Sequence, residues 1–328
     1  MTVVYQRGIY LPEIDLWLDS QLPRPVAFVS HAHSDHLQSH AVTLATPATA
    51  ALMRHRLGRQ GRCRLLPFGR RTEFPGFAVT LYPAGHVLGS AQALVEVDGR
   101  RLLYSGDFKL KPGRSMEGAE VPEAEGVIME TTFGKPGYVF PPTEEVIDQI
   151  RGWVRRAWVD GQIPILFGYA LGKSQELLAH LDDLGGEILL ERRVYQIVKL
   201  YEEWGVRFPP HQLYVPGMEP KGCVLICPPG SRHTRKRVPD DIAAIRNQRT
   251  AYISGWALDR GAEWRFGTHT CFPLSDHADY PDLLEYVRRT GARVVHTVHG
   301  FADEFAADLR LRGYEARPLR PAAQPCLF

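Results

Sequence analysis

His31-Ala-His33-Ser-Asp35-His36 places four side chains able to hold a cation within six consecutive positions, directly after the apolar run Val26-Ala-Phe-Val-Ser30. A short run of that kind reads as a buried strand, which puts the polar cluster on the loop at its C-terminal end. Alternate residues of an extended segment point the same way, so His31 and His33 can share one ion while Asp35 and His36 turn toward a second. Such a loop constrains the fold to one that holds strand ends rigidly. The bland alternative is a surface loop rich in His, and the rest of the chain argues against it.

Further ligand types recur in the same setting. His86 lies in Pro83-Ala-Gly-His86-Val-Leu-Gly-Ser90, after the strand-like Ala78-Val-Thr-Leu-Tyr82. Asp107 ends Leu102-Leu-Tyr-Ser-Gly-Asp107, and His299 closes Val294-Val-His-Thr-Val-His299-Gly300. Each stands at the end of an apolar run beside a glycine, which permits close backbone approach.

This set resembles the metallo-β-lactamase superfamily. Glu130 in Met129-Glu-Thr-Thr-Phe-Gly134 and His277 in Ser275-Asp-His277-Ala-Asp-Tyr280, a His just ahead of a helix, are similar to motifs of the β-CASP nucleases, with His299 as a third. Ala170-Leu-Gly-Lys-Ser-Gln175 and Ser254-Gly-Trp256 further resemble the bacterial DNA ligase-associated exonucleases, also described as mRNA 3′-end-processing-factor-like. The likeness runs from Gly8 to about Leu319.

The resemblance implies an α/β fold: a four-layer αββα metallo-β-lactamase sandwich with an inserted α/β β-CASP cap domain. Residues 1–140 and 265–328 would form the sandwich and 141–264 the cap. The sequence pattern agrees. Short strands are expected over Val26–Ser30, Val42–Ala45, Ala78–Tyr82, Gln92–Val97, Arg101–Ser105 and Val127–Glu130, with a hairpin turn at Asp98-Gly99. A helix covers Thr49–Arg56. After the turn-rich Pro136–Pro142, Thr143 is expected to cap a helix to Val159, with Glu144 and Glu145 in its favourable first turn. Strands at Ile163–Phe167, Ile188–Leu190 and Val224–Cys227 alternate with helices from Lys173 and over Val194–Trp204. Strand Arg293–Val298 and a helix from Phe301 return to the first domain.

The resemblance also implies the chemistry. Two zinc ions, with manganese as the alternative, would sit about 4 Å apart. One takes His31, His33 and His86, the other Asp35, His36 and His299, and Asp107 bridges them. A metal-bridging hydroxide would attack a phosphodiester, since bound water falls from a pKa of about 15.7 to near 7 and needs no separate strong base. Asp35 orients that nucleophile. His277 is the candidate general acid, oriented by Glu130. Asp19, ending Leu16-Trp-Leu-Asp19, would steady a ligand His from behind, with Asp15 the competing choice. The implied activity is an exonuclease of DNA repair acting on single-stranded DNA between the two domains, alongside a ligase and a helicase. The alternative is a β-CASP ribonuclease of RNA processing or decay, because a His at position 299 is more usual among the RNA-cutting members. Nothing in the chain reads the 2′-hydroxyl. A scaffold that has lost catalysis would lack ligands, and all seven are here; a lactonase would need neither the cap nor Glu130 and His277.

Charge distribution says where a polyanion could lie. The chain of 328 residues has a net charge of only +2, yet no Asp or Glu occurs from Leu37 through Thr72, where Arg54, Arg56, Arg59, Arg62, Arg64, Arg70 and Arg71 accumulate. Arg232-His-Thr-Arg-Lys-Arg237 is a second cluster. Lys109, Lys111 and Arg114, just beyond Asp107, are the expected substrate-binding cations. Ile163–Phe167 followed by Gly168-Tyr-Ala-Leu-Gly172-Lys173-Ser174 has the context of a phosphate loop with the wrong spacing, so nucleotide hydrolysis is excluded, while Lys173 and Ser174 are left as candidates to hold a substrate phosphate. Five cysteines, odd in number and scattered, together with the lack of a signal peptide or membrane-length apolar run, point to a reducing cytoplasm and no membrane partner. Cys223 and Cys227 read as core thiols.

Overall fold

A computed structural model describes residues 1–58, 61–218, 221–230 and 239–320. The Arg232–Arg237 cluster, Arg59 and Cys326 lie outside the described residues. The chain divides into two compact units, Met1–Val139 with His277–Phe328, and Phe140–Asp276.

The first unit opens with a six-stranded sheet in which β1 (Val4–Tyr5), β2 (Ile9–Leu11), β3 (Leu16–Leu18), β4 (Val26–Phe28), β5 (Val42–Ala45) and β6 (Arg62–Leu65) lie in chain order. β1 to β3 are antiparallel and β3 to β6 parallel, with α1 (Pro47–Leu57) connecting β5 to β6. β7 (Thr72–Phe74), β8 (Phe77–Pro83), β9 (Ala91–Val97), β10 (Arg100–Tyr104) and β11 (Gly126–Glu130) begin a second sheet. The expected hairpin forms between β9 and β10: Asp98 and Gly99 both take positive φ (48° and 75°), which suits the primed turns that match strand twist, and Arg100 pairs with Val97.

The second unit is a parallel six-stranded sheet, order β14-β13-β15-β12-β16-β17, made of β12 (Ile163–Phe167), β13 (Glu187–Leu190), β14 (Gln212–Leu213), β15 (Cys223–Cys227), β16 (Gln248–Ile253) and β17 (Thr270–Phe272). Its helices are α2 (Thr143–Val159), α3 (Lys173–Ala179), α4 (Arg192–Glu203), α5 (Asp240–Ala243) and α6 (Ala262–Phe266). Alternate residues bury on opposite faces. Leu166, Ile188 and Ile226 pack with Val146, Ile150 and Trp153 of α2, whereas Ile165, Leu189, Leu225, Cys223 and Cys227 pack with Tyr214 and Ile242. Burial on both faces makes these strands continuous apolar runs rather than alternating ones. The two cysteines are core thiols, as their setting in the sequence suggested, and burial holds the Cys227 thiol well above its ordinary pKa.

The chain then returns to the first unit with α7 (Tyr280–Thr290), β18 (Val294–Val298), α8 (Ala302–Leu311) and β19 (Glu315–Pro318). β18 pairs in parallel with β11, completing a seven-stranded sheet of order β19-β18-β11-β10-β9-β8-β7. Leu102, Tyr104 and Ile128 point into the core between the two sheets, with Ile9, Phe28 and Leu44 opposite. Leu103, Val127 and Met129 point the other way, onto Leu283, Val287 and Phe305 of α7 and α8. This is the α/β sandwich with an inserted α/β unit.

Two expectations are corrected. The inserted unit was expected to end at 264 and instead runs to Asp276, because β17 adds beside β16 as a further parallel strand before the chain returns. Thr143 does not cap α2: the helix begins on it, Pro142 stands at the cap position, and no side chain caps the end. No helix among the described residues is long and apolar enough to cross a membrane.

Candidate metal centre

The ligand-type side chains of the first unit leave neighbouring strand ends. His31, His33, Asp35 and His36 follow β4, His86 follows β8, Asp107 follows β10, Glu130 ends β11 and His299 follows β18. Glycine makes the crowding feasible at two of these exits. Gly106 has φ +55°, and a Cβ there would lie 2.7 Å from the Ser30 Cβ, so the exits of β4 and β10 can pass only without a side chain. Gly300 has φ +52°, and its Cβ would lie 2.4 Å from Thr132 Cα. His299 itself has φ +60°, uncommon for a residue with a Cβ and a conformation that tends to occur at functional sites. Thr131 Oγ1 holds it by donating to the His299 carbonyl at 2.7 Å.

His33 Nδ1 lies 3.0 Å from both His31 Nε2 and His86 Nε2. Asp107 Oδ2 is 3.6 Å from His31 Nε2, 3.4 Å from His36 Nε2 and 3.9 Å from His86 Nε2. One ligand atom from each of His31, His33, His86 and Asp107 falls within 4.8 Å of the others. A four-coordinate ion with nitrogens at about 2.0–2.1 Å separates its ligands by roughly 3.3 Å, so this donor set fits a cation. His36 extends the cluster: its Nε2 is 3.9 Å from Asp35 Oδ2, and its ring centroid is 5.4 Å from that of His299. Asp35 is the member open to solvent, with its side chain 70% exposed, whereas His31, His36 and His86 are buried.

Asp19, rather than Asp15, stands behind this cluster. Its Oδ1 accepts from Ser30 N at 2.7 Å, and its Oδ2 accepts from Ser30 Oγ (2.5 Å), Tyr104 OH (2.7 Å) and His36 Nδ1 (2.8 Å). Asp15 accepts from Tyr10 OH at 3.0 Å, on the surface. The network fixes tautomers. The single Ser30 hydroxyl proton goes to Asp19, so the His31 Nδ1–H donates to Ser30 Oγ at 3.0 Å and the His31 Nε2 lone pair faces the cluster. His36 is oriented by the same carboxylate, with Nδ1–H on Asp19 and Nε2 toward Asp107. Ser30 and Tyr104 were missed in the sequence. Tyr104 sits 85 positions from Asp19 in an apolar strand, and no local signal links the two.

The electrostatics leave part of the imidazole set unprotonated. Burial, then repulsion from His36 and His86, holds His31 well below the usual imidazole range. For Asp107, burial opposes ionisation, yet His36, His277 and His31 together outweigh it and keep the carboxyl well below its ordinary value. His36 is driven well above the usual range because Asp107 and Asp19 outweigh its burial. A buried carboxylate thus faces several imidazoles that cannot all carry protons, which is the demand a metal ion satisfies.

Glu130 and His277 form a neighbouring pair. His277 Nδ1 lies 2.8 Å from Glu130 Oε1, and Glu130 is buried, accepting from Phe108 N (Oε1) and Thr132 N (Oε2), both at 3.1 Å. One oxygen of Glu130 also falls in a ligand-sized group with Asp107 and His277.

No family model matches the chain. A probable DNA ligase of Opitutus terrae is 46% identical over 318 residues, 96% of this chain but 30% of that protein. The endoribonuclease ysh-1 of Neurospora crassa is 34% identical over 114 residues, 33% of this chain and 13% of that protein. The cleavage and polyadenylation specificity factor subunit 3 of Dictyostelium discoideum is 34% identical over 118 residues, 35% of this chain and 15% of that protein. The chain thus spans less than a third of the length of these curated relatives. A crystal structure of a protein of unknown function from Enterococcus faecalis V583 shares the fold, with TM-score 0.60 over 90% of this chain and 79% of that one at 12% identity. These likenesses are consistent with a β-CASP nuclease of the metallo-β-lactamase superfamily.

The expected substrate cations differ in where the fold places them. Lys109 is 4% exposed, and its Nζ has no hydrogen-bond partner among the described residues. Lys111 Nζ is bonded to Asp279 at 2.6 Å and lies 3.8 Å from Asp282, tying the segment after Asp107 to the start of α7. Arg114 remains exposed. In the inserted unit, Lys173 is buried with its ammonium on Leu274 O (2.8 Å) and Asp276 Oδ1 (2.7 Å), and the buried Ser174 donates to Tyr169 O at 2.8 Å. The N-terminus of α3 is closed by Gln175 Oε1, which accepts from Gly172 N at 2.7 Å. The expectation of substrate contact is withdrawn for Lys109, Lys173 and Ser174, because burial places their polar atoms inside the protein.

Proposed function

We propose that this chain is a metal-dependent phosphodiesterase that shortens DNA, an exonuclease of DNA repair. The observation that carries this reading is the convergence of His31, His33, His86 and Asp107 within 4.8 Å beside His36 and Asp35. His31, His33 and His86 would hold one ion, Asp35, His36 and His299 the second, and Asp107 would touch both. Zinc is the metal of choice for imidazole-rich sets with one or two carboxylates, and manganese is the alternative. Such ions supply Lewis-acid charge on the phosphoryl oxygens and a water of lowered pKa.

The chain's own residues do the rest. Asp19 locks His31 and His36 in the tautomers that present Nε2 to the cluster. Asp35, at the solvent edge, orients the incoming water. Glu130, anchored by two backbone amides, holds His277 through Nδ1, so Nε2 is the atom that hands a proton to the leaving oxygen. Four described cysteines are free thiols, in keeping with a reducing compartment such as the cytoplasm.

DNA is favoured by the Opitutus relative: a stretch 46% identical to this chain lies within a longer protein called a probable DNA ligase. Trimming an end before sealing it would join those two activities, and a ligase and a helicase are the expected pathway partners. A second reading, an RNA-cutting enzyme, rests on the similarity to the endoribonuclease ysh-1. Matched end-labelled DNA and RNA oligomers, incubated with zinc- or manganese-loaded protein, decide between them. A ladder of shortened DNA is expected; cleavage of RNA alone gives the second reading, and cleavage of neither ends both.

A further inference from the structure

Among the described residues β6 is the outer strand of the first sheet, paired with β5 alone, and its Arg62, Arg64 and Leu65 are exposed. Beside it, the last turn of α1 carries Arg54, His55 and Arg56, all exposed. Each feature has an ordinary explanation taken alone. Arginines on an edge strand discourage pairing with another chain, and cations suit a helix C-terminus. Neither accounts for how the charges are partnered. Arg64 is engaged with Glu73 O and the Phe74 ring, and Arg71 with Glu73 and Glu96. Arg54, Arg56 and Arg62 have no side-chain hydrogen bond or ion pair among the described residues, in a segment with no acid from Leu37 through Thr72.

These arginines are also tied to the metal loop. Desolvation lowers the Arg56 pKa, and the charge of Asp35, on the metal loop, opposes that shift. Gly61 N donates to Ser39 Oγ at 3.2 Å and Arg62 N to Ala41 O at 3.1 Å, so β6 starts against the end of the His31–His40 loop. We propose that Arg54, Arg56 and Arg62 form a phosphate-binding lane on the metal-bearing unit, which holds a DNA strand by its backbone as it passes Asp35. The lane rests on the reading of this chain as a DNA phosphodiesterase. Guanidinium groups suit phosphate oxygens, and contacts of this kind position a strand without reading its sequence.

The test uses the full chain loaded with zinc, a fluorescent phosphorothioate DNA oligomer that resists hydrolysis, and the small diester bis(p-nitrophenyl) phosphate. In the triple variant Arg54→Glu, Arg56→Glu, Arg62→Glu, Kd for the oligomer should rise at least about tenfold at low salt. The slope of log K against log salt should flatten by about 2, given roughly 0.7 per phosphate contact on single strands. Turnover of the small diester and bound zinc should not change. The control Arg288→Glu, on α7, should leave the slope alone. If the triple variant fails to fold, the single alanine variants should each flatten the slope by roughly 0.7. An unchanged slope, an equal loss in the control, or an arginine dependence seen with RNA alone would overturn the lane. Protein that binds the oligomer through these arginines yet hydrolyses neither an unmodified DNA oligomer nor bis(p-nitrophenyl) phosphate refutes the hydrolase reading and leaves the lane standing.

Discussion

Two sets of strand ends carry polar side chains here, and the fold treats them oppositely. In the first unit, β4, β8, β10 and β18 deliver His31, His33, His36, His86, Asp107 and His299 to one place, where nitrogens crowd nitrogens at 3.0 Å around a buried carboxylate. In the inserted unit, β12 leads into Gly168–Gln175, where three polar side chains close on the protein: Lys173 on Asp276, Ser174 on Tyr169 O, Gln175 on Gly172 N. Both stretches look functional in sequence. The distinction lies in satisfaction: a structural cluster completes its own hydrogen bonds, while a binding cluster leaves a charge demand that something else must meet.

That contrast can be broken by substitution. The largest effect should come from Asp107→Ala, which should reduce bound metal and take cleavage to background; full activity with two ions still bound would end the bridging assignment. His277→Ala should keep its metal and slow turnover by roughly 10²–10⁴-fold, the range for a lost general acid, and a loss of metal content instead would recast His277 as a ligand. Lys173→Met should act on stability, lowering it by about 3 kcal/mol because a buried pair loses one member, with metal content and DNA affinity unchanged. Weaker DNA binding at unaltered stability would restore Lys173 as a substrate contact and erase the contrast.

The smallest expected effect is on acid stability. Burial pulls His40 and His296 down to about 4 in the folded chain. The unfolded chain binds more protons between about 6.5 and that value, so the associated stability is present above about pH 6.5 and is lost as pH falls toward 4. Allowing for partial screening, each should contribute on the order of 1–2 kcal/mol over that window. Thermal melts of His296→Gln between pH 7 and pH 4 should show a shallower decline than the parent; parallel curves would discount the burial of His296.

Much of the fold could be read from the chain because its signals are local. β5 and β12 match the expected strands, and the Asp98-Gly99 turn needs only two adjacent residues that tolerate positive φ. Strands of two or three residues, such as β1, β14 and β17, are too short to show a period, and overlooking β17 is what put the end of the inserted unit too early. β6 was hidden for another reason: Arg62-Cys-Arg-Leu reads as a charge run until pairing with β5 makes it a strand.

By itself the sequence determined which residue types could hold a cation, and that they follow apolar runs, since both facts depend on near neighbours and side-chain chemistry. Only the tertiary structure decided that Asp19 rather than Asp15 steadies His36, that Tyr104 joins it, and that Lys109 and Lys173 turn inward. A long side chain can reach in many directions from one backbone position, and the direction taken depends on partners brought near from far along the chain.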